Sequence, residues 1–233
     1  MASSPSASAA LIVGASRGLG LGLAEAYLKR GWRVVGTVRG AAKTKLHDLA
    51  AASAGRLVIE TVDINEPAEV AALKQRLSGQ SFDLLFVNAG VTNRRDETIG
   101  EVSTDEFNRV MTTNALSPMR VVEALDDLVA PSGTVAAMSS GLGSVADNEG
   151  GGMEVYRASK AALNTLMRSY AARAGGKRTV ALISPGWVRT DMGGDAAPLS
   201  VAESASGIAE VLVGRAGKHG VVFIDYKGDT VRW

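Results

Sequence analysis

The sequence predicts an α/β domain: a doubly wound, seven-stranded, mainly parallel sheet with helices on both faces. Two observations carry this prediction. Short apolar runs alternate with helix-length amphipathic stretches, and a glycine-rich turn joins the first run to the first helix. The runs are Leu11–Val13, Arg33–Val38, Leu57–Val62, Phe82–Val87, Thr134–Met138, Thr179–Ile183 and Gly220–Ile224. They are rich in β-branched residues and alternate only weakly, as strands buried on both faces do. Helices are expected in the amphipathic stretches near 18–30, 43–53, 67–78, 104–129, 155–174 and 200–214.

A length of 233 residues suits one such domain, spanning residues 9–233 behind a flexible tail at residues 1–8. No internal repeat or linker divides the chain. Hydrophobic residues make up 46% and charged residues 21%, and the net charge of +1 offers no field to attract nucleic acid or anionic lipid. The chain has no cysteine, so disulfide, thiolate and zinc–thiolate chemistry are excluded, and its two histidines, His47 and His219, lie far apart; no metal site is expected. The Ser- and Ala-rich opening lacks the basic and long apolar parts of a signal peptide, and no apolar run spans a membrane. A cytoplasmic protein is expected.

The first run leads directly into Gly14-Ala-Ser16-Arg17-Gly18-Leu19-Gly20 and then a helix. Gly14 permits a tight turn, while Gly18 and Gly20 let the backbone approach a pyrophosphate and let helix pack on strand. The free amides of a helix start favour an anion. The spacing G-x-x-x-G-x-G differs from the common dinucleotide fingerprint, and no Gly-Lys-Ser/Thr follows to make an NTPase loop.

Tyr156-Arg-Ala-Ser-Lys160 opens the long helix 155–174, and a spacing of four puts Tyr156 and Lys160 on one face. A nearby ammonium, aided by a nicotinamide cation, favours the phenolate and so makes the phenol a better acid. Upstream, Ser139-Ser140 ends a strand, where a hydroxyl can meet a carbonyl oxygen. Taken alone, a packed tyrosine and a solvated lysine would be the plainer reading.

The ordered set Gly14-x-x-x-Gly18-x-Gly20, Asn88-Ala89-Gly90, Asn114, Ser139-Ser140, Tyr156-x-x-x-Lys160 and Pro185-Gly186 resembles that of short-chain dehydrogenases/reductases from about Leu11 onward. The resemblance implies a Rossmann-type domain with Tyr156 as general acid and Ser140 bonded to the substrate oxygen. It also implies that Lys160 holds the nicotinamide ribose and tunes Tyr156, and that Asn114 anchors a relay water. Val13 stands where the family often has threonine, and Ser140 lies 16 positions before Tyr156, more than is common, with the Asp147–Gly152 loop to absorb the excess.

By the same resemblance the cofactor is held by Ser16, Arg17, Leu19 and the turn glycines, by Asp63 and Ile64 beside the adenine, and by Asn88, Ala89 and Gly90 beneath the ribose. Tyr156, Lys160, Pro185, Gly186, Val188 and Thr190 complete the set, and a turn residue is the secondary reading of Asp63. Family alignment puts the acid that would select NAD at Val38, which is uncharged, with Arg39 next and Arg17 in the glycine turn; NADP(H) is the expected cofactor. Asp191-Met-Gly-Gly194, Asn148-Glu-Gly-Gly-Gly152 and Trp233 resemble the branch of sniffer-type carbonyl reductases and C-factor-like proteins. That branch implies a small carbonyl or alcohol substrate and an open pocket behind the short loop Met192–Leu199. Trp187 is readable as an aromatic plug or a substrate contact. A homodimer or homotetramer is expected, with Val110, Met111, Leu163 and Met167 as partner contacts or as intrachain core. A cofactor-binding redox sensor or signalling protein of the same fold, without turnover, is the alternative.

Overall fold

The computed structural model describes residues 7–174 and 178–233. Its seven strands are β1 (Ala9–Val13), β2 (Arg33–Val38), β3 (Leu57–Thr61), β4 (Phe82–Val87), β5 (Val129–Met138), β6 (Thr179–Ser184) and β7 (Gly220–Asp225). They form one sheet in the order β3-β2-β1-β4-β5-β6-β7, and every pairing is parallel. Chain order reverses between β1 and β4, and in such sheets ligands bind at that switch, beyond the carboxyl ends of the strands. The register aligns those ends, since Val13 pairs with Val87, Val87 with Ala137, and Met138 with Ile183. Gly14, Asn88 and Ser139 thus leave neighbouring strands at one edge.

Alternate strand residues feed opposite cores. Leu11, Val13, Leu85 and Val87 pack on one side with Leu163 and Met167, while Ile12, Leu84 and Phe86 pack on the other with Tyr27 and Ile208. Each such side chain, fully buried, contributes about 1.5–3 kcal/mol. Burial on both faces is why the strands show so little alternation.

Helices α1 (Gly18–Lys29), α2 (Lys45–Ala52), α3 (Pro67–Arg76), α4 (Thr104–Met111), α5 (Ser117–Leu125), α6 (Glu154–Arg173) and α7 (Val201–Arg215) connect the strands. Local chemistry sets their starts: Pro67 opens α3, and Ser200 and Glu203 form a capping box on α7. The single helix expected over 104–129 is instead α4, a π turn at Thr112–Leu116, α5 and a 3-10 turn at Asp126–Leu128. Strand β5 begins at Val129 rather than Thr134, across a register irregularity with β4. Val110, Leu163 and Met167 are buried within the chain itself, so they are core and not free for a partner. Of the tail expected at residues 1–8, residues 1–6 lie outside the described residues, and the Ser8 carbonyl already accepts from Arg33 N at 2.9 Å. Among the described residues no helix is long and apolar enough to cross a membrane.

Candidate active site

The turn after β1 is built for close approach. Gly14 has φ +88°, and a Cβ there would lie 2.9 Å from Ala89 N. A Cβ on Gly20 would lie 2.1 Å from the Gly14 carbonyl oxygen and 2.7 Å from Asn88 Nδ2. The turn is latched from two sides, by Asn88 Nδ2 donating to Gly14 O at 2.8 Å and Gly14 N donating to Thr37 Oγ1 at 3.0 Å. Helix α1 begins without any side-chain cap and without an acidic residue in its first turn. Its first amides have no acceptor within the helix, so an anionic phosphate fits there. Ser16, Gly18 and Leu19 line this half-exposed start, while Ala89 and Gly90 continue the backbone past the end of β4.

Beyond β5 the two serines are told apart by their partners. Ser139 is buried and its Oγ donates to Asn164 Oδ1 at 2.6 Å, which commits it to packing. Ser140 is half-exposed; its Oγ accepts from Leu142 N at 3.1 Å, and it is the serine whose hydroxyl acts on the Tyr156 phenol. Burial pushes the Tyr156 phenol above its ordinary range, and the Ser140 hydroxyl offsets only part of that. In the chain alone desolvation sets the direction of that shift. Lys160 is itself buried, its Nζ lying 5.7 Å from the Tyr156 ring centre and donating to Met138 O at 2.8 Å. Burial lowers its ammonium to about 8.

Asn114 sits in the π turn, fully buried. Its Nδ2 donates to Val91 O at 2.8 Å and Ser159 Oγ at 2.9 Å, while Val91 N donates to its Oδ1 at 2.8 Å. A π turn widens the helix locally and is a common device at functional sites. Here it seats Asn114 between the end of β4 and α6.

The segment after β6 closes the far side. Pro185 O accepts from Ser204 Oγ at 2.7 Å, and Gly186 turns with φ +78°. Val188 is buried and bridges Leu199, and Thr190 Oγ1 accepts from Gly193 N at 3.0 Å. Trp187 is exposed, with its indole N–H pinned to Gly193 O at 2.8 Å. Asp63 makes the turn after β3 by accepting from Asn65 N at 2.9 Å, and Ile64 is packed in the core beside it. Val38 is buried and Arg39 exposed at the end of β2. Arg17 forms an ion pair with Asp191 across the rim.

Sequence reasoning missed Asn164, Ser159 and Thr37, each of which holds a site residue in place. Asn164 was within reach of the sequence, because it lies four residues after Lys160 on the same helix face.

A family profile described as enoyl-(acyl carrier protein) reductase matches residues 14–221. A short-chain dehydrogenase/reductase from Burkholderia multivorans, solved with bound NADP, is 56% identical, covers 97% of this chain and 100% of that one, and superposes with a TM-score of 0.96. Carbonyl reductase Sniffer of D. melanogaster is 29% identical over 97% of this chain and 100% of that one, with a TM-score of 0.87. The C-signal protein of Myxococcus xanthus is 41% identical over 155 residues, which are 65% of this chain and 92% of that protein.

Proposed function

This chain belongs to the short-chain dehydrogenase/reductase family of oxidoreductases, and from that premise we propose that it is an NADPH-dependent carbonyl reductase acting on a ketone or aldehyde. The observation that carries the reading is the meeting of Ser140, Tyr156 and Lys160 at the end of β5, with one strand, β4, between them and an uncapped glycine turn. Bound NADPH supplies the hydride.

The chain's own residues handle orientation and the proton. Ser140 donates to the substrate carbonyl oxygen, having accepted only from Leu142 N. Tyr156 delivers its phenolic proton to the same oxygen, and burial, by raising its pKa, keeps that proton in place at neutral pH. Lys160, fixed on Met138 O, directs its remaining donors toward the ribose and the phenol. Asn114 has spent both amide protons on protein partners, so it retains acceptor capacity only, for a water of the relay. Ser16, Gly18 and Leu19 hold the pyrophosphate, Asn88 and Gly90 support the ribose, and Val188 and Thr190 grip the nicotinamide side.

The likeness to C-signal favours a second reading, a cofactor-binding signalling protein without turnover. An intact Ser140, Tyr156 and Lys160 set is not needed for that and weighs against it. A homodimer or homotetramer is proposed as the working form, with no nucleic-acid or membrane partner. The deciding experiment follows NADPH oxidation against a panel of aldehydes, ketones and diketones. Turnover that depends on Tyr156 supports the reductase, and tight NADPH binding with no turnover supports the signalling protein.

A further inference from the structure

We infer that Trp233 is a positioning residue for Ser140, acting through a ladder of contacts along one face of α6; this rests on the reductase reading above. Lys160, Asn164 and Arg168 follow one another at four-residue spacing and so lie in line along the helix. Each holds the segment that follows β5 or the piece that backs it. Lys160 Nζ donates to Met138 O at 2.8 Å. Asn164 accepts from Ser139 Oγ at 2.6 Å and donates through Nδ2 to Gly143 O at 3.2 Å. Arg168 places its guanidinium 4.5 Å from the centre of the Trp233 ring.

Trp233 then returns the connection to the serine segment. Its carbonyl oxygen accepts from Ala146 N at 3.1 Å, and its ring packs on Phe223 of β7 with centroids 5.6 Å apart. Next to it, Arg232 pairs with Asp147, and Asp147 is bonded to Ser144 in both directions, Asp147 N to Ser144 Oγ at 3.1 Å and Ser144 Oγ to Asp147 Oδ2 at 3.0 Å. The stretch from Ser139 to Asp147 is thus fastened at its start by Asn164 and at its end by residues 232 and 233. Ser140 lies between the two fastenings, and its Oγ is aimed by the short turn at 141–143 that they hold. The cofactor turn lies across the sheet switch, and these contacts do not involve it.

Steady-state kinetics and peptide-level hydrogen exchange on the full chain test the inference. Trp233→Ala is expected to lower kcat about tenfold and to speed exchange across residues 140–147 while KM for NADPH stays within twofold; Trp233→Phe restores both readouts. Arg232→Gln alters only a surface pair, so it folds, and is expected to speed the same exchange and lower kcat about threefold. In a Ser140→Ala background neither substitution lowers the residual rate further, because both act through that serine. Wild-type kcat in Trp233→Ala, or losses that multiply with Ser140→Ala, would overturn the inference. So would unchanged exchange across residues 140–147 in Arg232→Gln. A wild-type protein that reduces no carbonyl would instead overturn the reductase reading, and the exchange comparison would still judge the tether.

Discussion

Lys160 Nζ donates to the Met138 carbonyl oxygen at 2.8 Å, which sets a buried ammonium directly behind the serine pair. Its ordinary value of 10.5 is lowered to about 8 by burial. The unfolded chain therefore holds this proton more tightly than the folded one, so the lysine destabilises the fold, fully below about pH 8 and progressively less as pH rises toward 10.5. The shift corresponds to about 3 kcal/mol, against about 2 kcal/mol for its charge-assisted bond. Lys160→Met is expected to abolish reduction yet gain about 1 kcal/mol at pH 7, raising Tm by about 3 °C. Melts at pH 7 and pH 10 check this, since the gain fades at the higher pH. A Tm below wild type at pH 7 would sink it.

Tyr156 and the two serines separate chemistry from packing. Tyr156→Phe removes the proton donor and is expected to lower kcat at least ~100-fold with NADPH affinity nearly kept. Ser140→Ala is expected to lower kcat by about 10–100-fold with an unchanged melt. Ser139→Ala leaves Asn164 with an unmet buried acceptor and costs about 1–3 kcal/mol of stability instead. Kinetics and denaturant curves on the three variants decide the assignment. A Ser139→Ala protein that is stable but inactive would reverse the two serines.

How much was legible in the sequence varied with the distance over which a feature acts. The strands read clearly because both faces are buried, and the glycine turn because Gly14 and Gly20 meet backbone within a few residues or across one strand pair. The π turn at Thr112–Leu116 was invisible, because one widened turn leaves the apolar spacing of its flanking helices intact. The choice between Ser139 and Ser140 needed Asn164, 25 positions away from Ser139, and the engagement of Arg17 needed Asp191, 174 positions away. The burial that raises the Tyr156 phenol was not legible, since a sequence shows the lysine beside it and not what encloses it.

The assembly proposed here is expected to use residues other than Val110, Leu163 and Met167. With Val110, Leu163 and Met167 inside the chain, Leu116 at 44% exposure and Leu166 at 40% are the large apolar side chains left open on the π turn and α6. An assembly larger than the 24.1 kDa chain is expected at micromolar protein, and Leu116→Glu with Leu166→Glu is expected to dissociate it. Sedimentation velocity reads both. A wild type that sediments only as a monomer would end the proposal.

Coenzyme choice turns on the end of β2, where Val38 occupies the position at which an acid would bind the ribose hydroxyls of NAD. Val38 is uncharged and Arg39 beside it is exposed, so a 2′-phosphate is expected to meet a guanidinium and no repelling carboxylate. Arg17 is the second candidate, but Asp191 competes for it in a pair whose side chains are each 76% exposed. Such a surface pair is worth about 0–1 kcal/mol and yields readily to a phosphate. Arg39→Ala is therefore expected to cost more NADPH preference than Arg17→Ala, and Asp191→Asn to increase the preference slightly. The wild type is expected to favour NADPH over NADH at least ~10-fold in kcat/KM, about 1.4 kcal/mol. Val38→Asp with Arg39→Ala is expected to reverse the preference, by adding an acceptor for free hydroxyls and deleting a phosphate partner. Because Val38 is buried, Arg39→Ala is measured alone as well, so that lost stability is not mistaken for lost selectivity. Equal kcat/KM for the two coenzymes in the wild type would defeat this account and leave the assignments of Ser140, Tyr156 and Lys160 untouched.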